Sequence, residues 1–151
     1  MRHYLMKSEP TEYSIDQLEK DGRSSWFGVR NYQARNFMSK EMSDGDRILF
    51  YHSNCKVPGV VGIAQVVEIA HPDETQFSPG KYFEPRATRE KPVWFCVDVA
   101  FVKKLARTYS LQEIRENPKL SEMKLLQKGS RLSITPVTRE EFEEIVGLAN
   151  S

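Results

Sequence analysis

Val93-Trp94-Phe95-Cys96-Val97-Asp98-Val99-Ala100-Phe101-Val102-Lys103 is the clearest strand in the chain. Side chains on a strand alternate between its two faces, and here the odd positions Val93, Phe95, Val97, Val99 and Phe101 are all apolar. That face is expected to point into a core. Trp94 then lies on the other face, in register with Cys96 and Asp98. A tryptophan there either packs beneath a helix or lines a pocket.

Working outward, His3 to Lys7, Arg47 to Ser53 and Gly59 to Ala70 read as further strands, and Arg131 to Thr135 as a short one. The turn signal Ser43-Asp44-Gly45-Asp46 launches the second of these. Ser14 caps a short helix, with Gln17 three residues on completing a capping box, and Gly22 ends it. Asn31 to Met42 reads as a second helix. Ser110 caps Leu111 to Glu116, and Leu120 to Gln127 adds a further helical turn or two. Thr138 caps Arg139 to Val146, with Glu141 in the box position. Pro72 to Lys91 is a loop long enough to have a function of its own. Strands joined mainly without crossovers, with helices between them and at the chain ends, predict an α+β fold: a small mixed barrel flanked by short helices. Strict βαβ alternation is absent, which argues against a Rossmann layout.

The bulk composition limits the function classes. A chain of 151 residues, 39% hydrophobic and 28% charged, is read as one domain spanning 1–151. No run of 18 apolar residues occurs, and the first ten residues lack the apolar stretch of a signal peptide. Cys55 and Cys96 are too few for a disulfide framework. A reduced, cytoplasmic, monomeric protein with no membrane partner is the expectation. The net charge of +1 is small for a protein that grips duplex DNA by its phosphates. If nucleic acid is the partner, local basic clusters and base contacts must carry the affinity.

Motifs for catalysis and metal binding are not found. His52 and Ser53 are neighbours on a strand, so their side chains point to opposite faces and cannot form a nucleophile–base pair. His3, His52 and His71 lack ligand spacing, and no phosphate-cradling glycine loop occurs. No metal and no cofactor are predicted. His52 shares a face with Ile48 and Phe50, where a satisfied core histidine is the commoner outcome.

The irregular stretch Ser24-Ser25-Trp26-Phe27-Gly28-Val29-Arg30-Asn31 is different in kind. Trp26 has no helical or strand face to fill, and Arg30, Asn31, Arg35 and Asn36 follow at once. Aromatic rings interleaved with Arg and Asn suit a base pocket, because rings supply stacking surface and amides read a base edge. Each stacked base is worth roughly 1–3 kcal/mol. The alternative is a buried tryptophan beside a solvated helix.

Six segments together resemble the EVE domain family over essentially the whole chain. They are Met6 to Pro10, Trp26 to Phe37, Leu49 to Asn54, Gly62 to Ala64, Pro92 to Trp94 and Arg131 to Val137. The resemblance implies a PUA-like fold, a mixed β pseudo-barrel flanked by short helices, shared with YTH readers of methylated RNA and SRA readers of modified cytosine. It implies a non-catalytic module that binds DNA or RNA through a modified base, such as a modified cytosine. Trp26 and Trp94 become walls of the pocket, with Lys7, Ser8 and Glu9 at its rim or floor. Asn31, His52, Ser53 and Asn54 lie near the same opening. Arg30, Arg35, Arg86, Arg89 and Lys91 would hold flanking phosphates. Arg131, Leu132 and Ser133 match the family as structural support. Two other readings stand beside this one. An amidohydrolase-like enzyme acting on a modified nucleotide would have to use Lys7 and Glu9, and a protein-interaction module would show an apolar patch away from the tryptophans.

Overall fold

In the computed structural model, which describes residues 1–128 and 132–150, six strands form one mixed sheet. In chain order they are β1 (His3–Ser8), β2 (Arg23–Ser25), β3 (Arg47–His52), β4 (Gly59–Pro72), β5 (Phe95–Ser110) and β6 (Ile134–Val137). Across the sheet the order is β2-β5-β4-β3-β1-β6. β1 and β3 are parallel, with Leu5 opposite Leu49, and the other neighbouring pairs are antiparallel. A parallel pair needs a crossover, and the chain between them supplies α1 (Ile15–Asp21) and α2 (Tyr32–Asn36), the second running on into a π-helical turn at Phe37–Glu41. Two further helices, α3 (Leu111–Glu116) and α4 (Arg139–Ala149), follow β5 and β6. The α+β architecture expected from the strand pattern is the one observed.

Alternation along the central strands builds two apolar layers, one on each face of the sheet. Tyr4, Met6, Ile48, Phe50, Val97 and Val99 pack with Ile15 and Leu18 of α1 and with Ala34 and Met38. Leu5, Leu49, Tyr51, Leu105 and Tyr109 pack with Ile114 of α3 and Ile145 of α4. Strands covered on both faces lose the polar half of their alternation, which is why β1 and β3 read as nearly continuous apolar runs.

The strand that opened the reading begins two residues later than expected. Val93 and Trp94 stand ahead of β5, so its two-residue period does not extend to them. Val97 and Val99 are fully buried and Phe101 packs against the same layer, as the odd-position face requires, but Cys96 joins that layer as well. β5 also continues to Ser110, past the expected end at Lys103. Pairing of Tyr109 with Val60 and of Lys104 with Gly62 carries it there, and several register shifts between β4 and β5 bend the long strands.

Other differences are local. β2 has three residues, too short for periodicity to reveal, and exists through its pairing of Ser24 with Val99 of β5. The boxes at Ser110/Glu113 and Thr138/Glu141 are complete. At α1, Ser14 accepts from the Gln17 amide, but the Gln17 side chain donates to Asp21 instead of returning to the cap. Leu120 to Gln127 resolves into 3-10 turns at Pro118–Leu120 and Lys124–Leu126. The last strand is shifted to Ile134–Val137, and Arg131 lies outside the described residues. Pro136 is tolerated because β6 is an edge strand.

Gly62 marks the closest approach of α1 to the sheet. A Cβ there would stand 2.5 Å from Ile15 Cδ1 and 2.9 Å from the Lys103 carbonyl oxygen. Gly62→Ala is expected to destabilise the protein by about 1–3 kcal/mol through overpacking. Urea unfolding would show it as a lower midpoint at unchanged slope.

Candidate functional site

Beyond the end of β1 the chain borders a solvent-open cavity of about 380 Å³. Four stretches form it: Lys7, Ser8 and Glu9 with the following turn, the segment from Ser25 to Asn31 that leaves β2, Lys81-Tyr82 from the long loop, and Ser133 ahead of β6. Trp26 is 8% exposed, and its ring meets Phe50 edge to face at 5.4 Å. Its amide donates to the Val97 carbonyl at 2.8 Å, one residue past the β2 ladder. Phe27, 47% exposed, stands at the lip, its ring crossing that of Tyr82 at 71° with centroids 6.1 Å apart. Gly28 has a φ of +85°, and a Cβ on it would come within 2.8 Å of the Tyr82 ring. Only glycine lets that ring lie against the chain here.

What ties these stretches together is Asp73, whose side chain is 1% exposed. It accepts from the Gly28 amide at 2.8 Å, the Arg30 guanidinium at 3.1 Å and the Thr75 amide at 2.9 Å, and also from the Thr75 hydroxyl. Burial pushes the Asp73 carboxyl up, but the hydrogen bonds from Thr75, Gly28 and Arg30 outweigh it and hold the group below its ordinary value. The remaining Arg30 contacts go to the Val29 carbonyl, the Thr75 hydroxyl and the Tyr82 carbonyl. Its guanidinium lies 5.4 Å from the Tyr82 ring centroid and 5.2 Å from that of Trp94.

Gln76, fully buried, does for Val93 and Trp94 what a neighbouring strand would do. Its side-chain oxygen accepts from both their amides, and its nitrogen donates to the carbonyls of Asp73 and Trp94. Trp94 is 4% exposed. Its indole N–H donates to Glu84 at 3.0 Å, and Tyr32 stacks on its ring at 4.9 Å. Hydrogen bonds from Arg86 and then Trp94 pull the Glu84 carboxyl down to about 2.

The expected pocket residues therefore divide. Lys7, Ser8, Glu9, Trp26, Arg30 and Asn31 come together at the cavity. Trp94 does not line it, which corrects the expectation that it forms a wall of the pocket: Tyr32 covers its ring, and it stands behind the wall, against Arg30. Lys7 borders the cavity, but its ammonium lies over Tyr51, 6.0 Å from the ring centroid, on the sheet face opposite Ser8. Asn31 caps α2, its side-chain oxygen accepting from the Ala34 amide, so its N–H groups remain as donors. His52 is a satisfied, half-buried histidine at the end of β3: its Nε2 accepts from the Ile15 amide at the start of α1, and burial lowers its pKa. It does not reach the cavity. Ser53 and Asn54 stand one layer back, bonded to the Ser8 carbonyl and the Glu9 carboxylate.

The expected phosphate-binding residues are also placed differently. Arg30 is the half-buried partner of Asp73, with its guanidinium committed inside the fold. Arg35 donates to the Val93 carbonyl, Arg86 pairs with Glu84 and Arg89 with Glu74. These three and the exposed Lys91 lie off the cavity lining. Sequence reasoning missed Glu12, Tyr13, Phe27, Lys81 and Tyr82, and Ser133, which it read as structural support, lines the cavity as well. An aromatic signal for Tyr82 was present in Lys81-Tyr82-Phe83, inside the one loop long enough to have a role.

Comparison with known proteins places this geometry. The EVE domain model matches residues 2–148. Human thymocyte nuclear protein 1 is 39% identical over 166 residues, an overlap covering 97% of this chain and 73% of that protein. A hypothetical protein from Leishmania major superimposes with a TM-score of 0.93 at 45% identity, covering 99% of this chain and 94% of that one. The crystal structure of human THYN1 in complex with DNA containing 5-methylcytosine superimposes with a TM-score of 0.91 at 37% identity, covering 100% and 99%. The fold is the PUA-like fold that the motifs implied.

Asp73→Asn is expected to cost about 2–3 kcal/mol, since it leaves the half-buried Arg30 without its counter-charge. Because the folded carboxyl sits below its ordinary value of 3.8, its contribution is complete above that pH and lost as pH falls through the folded value. Urea unfolding at about pH 7 and about pH 3 should accordingly show a gap between wild type and variant that narrows in acid.

Proposed function

The chain belongs to the EVE domain family, and from that premise we propose that it is a non-catalytic reader that holds one modified base of DNA, 5-methylcytosine first among them, in the cavity beside Trp26 and Tyr82. The observation that carries the reading is a solvent-open cavity with aromatic walls, in a fold that a relative bound to DNA containing 5-methylcytosine shares. A duplex base reaches such a cavity by leaving the stack, at a cost of a few kcal/mol. Stacking on a ring offsets about 1–3 kcal/mol of that.

Shape separates one methyl group from none only weakly, by about 1–3 kcal/mol, so polar groups must set base identity. Cytosine presents an amino donor at N4 and acceptors at N3 and O2. Carboxylates suit the amino group, and Glu9 and Glu12 stand on the lining. The free N–H groups of Asn31 suit the acceptor side. A non-catalytic reading is supported by the two groups an amidohydrolase-like enzyme would have to use, both of which are engaged elsewhere. The Lys7 amine lies over Tyr51, and Asn54 holds the Glu9 carboxylate. Phosphate contacts fall to Lys81, Arg86, Arg89 and Lys91, of which the first three already hold Glu12, Glu84 and Glu74. Exchanging one anion for another keeps their net contribution small.

Anisotropy titrations of labelled oligonucleotides test this, with cytosine or 5-methylcytosine at one position and DNA and RNA versions of each. Wild type is expected to prefer the methylated DNA. Tyr82→Ala should weaken binding on the order of tenfold with the melting temperature nearly unchanged. The slope of log affinity against log salt should stay below about 3 in magnitude. Indifference to the methyl group together with full affinity in Tyr82→Ala would remove the cavity from the binding reaction.

A further inference from the structure

Phe27, at the lip of the cavity, keeps its ring 47% exposed. Single exposed apolar side chains are ordinary; what sets Phe27 apart is its backbone. The amide before it, on Trp26, is held by the Val97 carbonyl at 2.8 Å, and the amide after it, on Gly28, by the buried Asp73 carboxylate at 2.8 Å. The backbone is pinned on both sides of a ring that remains 47% exposed.

Its orientation separates it from the walls. Phe27 and Tyr82 cross at 71°. A flat base lying on Tyr82 would stand nearly perpendicular to the Phe27 ring, and one base plane cannot be parallel to both. A base stacked on Tyr82 therefore leaves Phe27 available to a different planar partner. Resting on the reader function proposed above, we infer that Phe27 is a wedge: it enters the duplex stack at the place vacated by the extruded base and stacks on the neighbouring base pair. The occupant of this lip is duplex DNA at a single opened step. Apolar side chains at a rigid rim are suited to that task, since they replace the stacking lost when a base leaves and keep it from falling back.

The inference separates pairing from pocket binding, and the test uses that. Wild type, Phe27→Ala, Phe27→Leu and Tyr82→Ala are titrated with a duplex carrying one 5-methylcytosine and with the same strand alone. Phe27→Ala should weaken duplex binding on the order of tenfold and single-strand binding by a clearly smaller factor. Phe27→Leu, still an apolar wedge, should recover part of the duplex affinity, while Tyr82→Ala should weaken both probes alike. Equal losses on the two probes in Phe27→Ala would make Phe27 a wall of the pocket. No loss on either would make it a bystander, and both results overturn the wedge. A wild type that binds the single strand but not the duplex overturns it too while sparing the base-reading proposal, whereas binding to neither probe sinks both.

Discussion

A carboxylate taken out of water has to be surrounded by donors, and in this protein Asp73 gathers them from two distant stretches of chain. Gly28 and Arg30 come from the segment after β2, Thr75 from the loop after β4. An uncompensated charge at that depth would cost several kcal/mol, so the two stretches cannot separate without losing a full set of charge-assisted bonds. The cavity is the space that this clasp leaves between them and the end of β1. Much of its wall is irregular backbone, fixed by hydrogen bonds to the buried Asp73 and Arg30 side chains.

The clasp also arranges the aromatic groups in layers. Tyr82 and Phe27 face the opening. Arg30 lies behind Tyr82, Trp94 behind Arg30, and Tyr32 closes the stack from outside. A guanidinium between two rings gains from both their faces while Asp73 neutralises it. The wall therefore presents an apolar, nearly uncharged surface although an arginine stands inside it. The arginines on the outer side, Arg86 and Arg89, are paired with glutamates as well. A small net charge and internally paired cations are consistent features of one surface, and they favour contacts with bases over a broad phosphate grip.

Most of the fold was readable because the central strands are apolar on both faces and the helices carry sequence-local caps. Ser110 with Glu113 and Thr138 with Glu141 are complete boxes, visible as spacings of three. The end of β5 was not readable: Lys103-Lys104 looks like a terminus, and only hydrogen bonding to β4 across shifted registers extends the strand to Ser110. At the site, Trp26, Ser8, Glu9 and Asn31 could be named from an irregular aromatic segment and a strand end. Phe27, Tyr82 and Asp73 could not be ranked above their neighbours, because their roles consist of contacts between segments some 45 or more residues apart.

Trp94 shows where the boundary falls. Local pattern could say that it was a large ring beside a strand, either packed or lining a pocket. Which of the two depended on Tyr32, Arg30, Gln76 and Glu84 arriving from three other places in the chain, and those positions are set by tertiary packing. The central strands, the boxes at Ser110 and Thr138, the family and the aromatic segment at Trp26 were determined by the order of residues alone, since each rests on interactions within a few positions, on side-chain alternation or on motif. The cavity, its lining and the layer behind it were decided only when the buried Asp73 brought remote segments together. A carboxylate's need for donors says nothing in sequence about which donors will meet it.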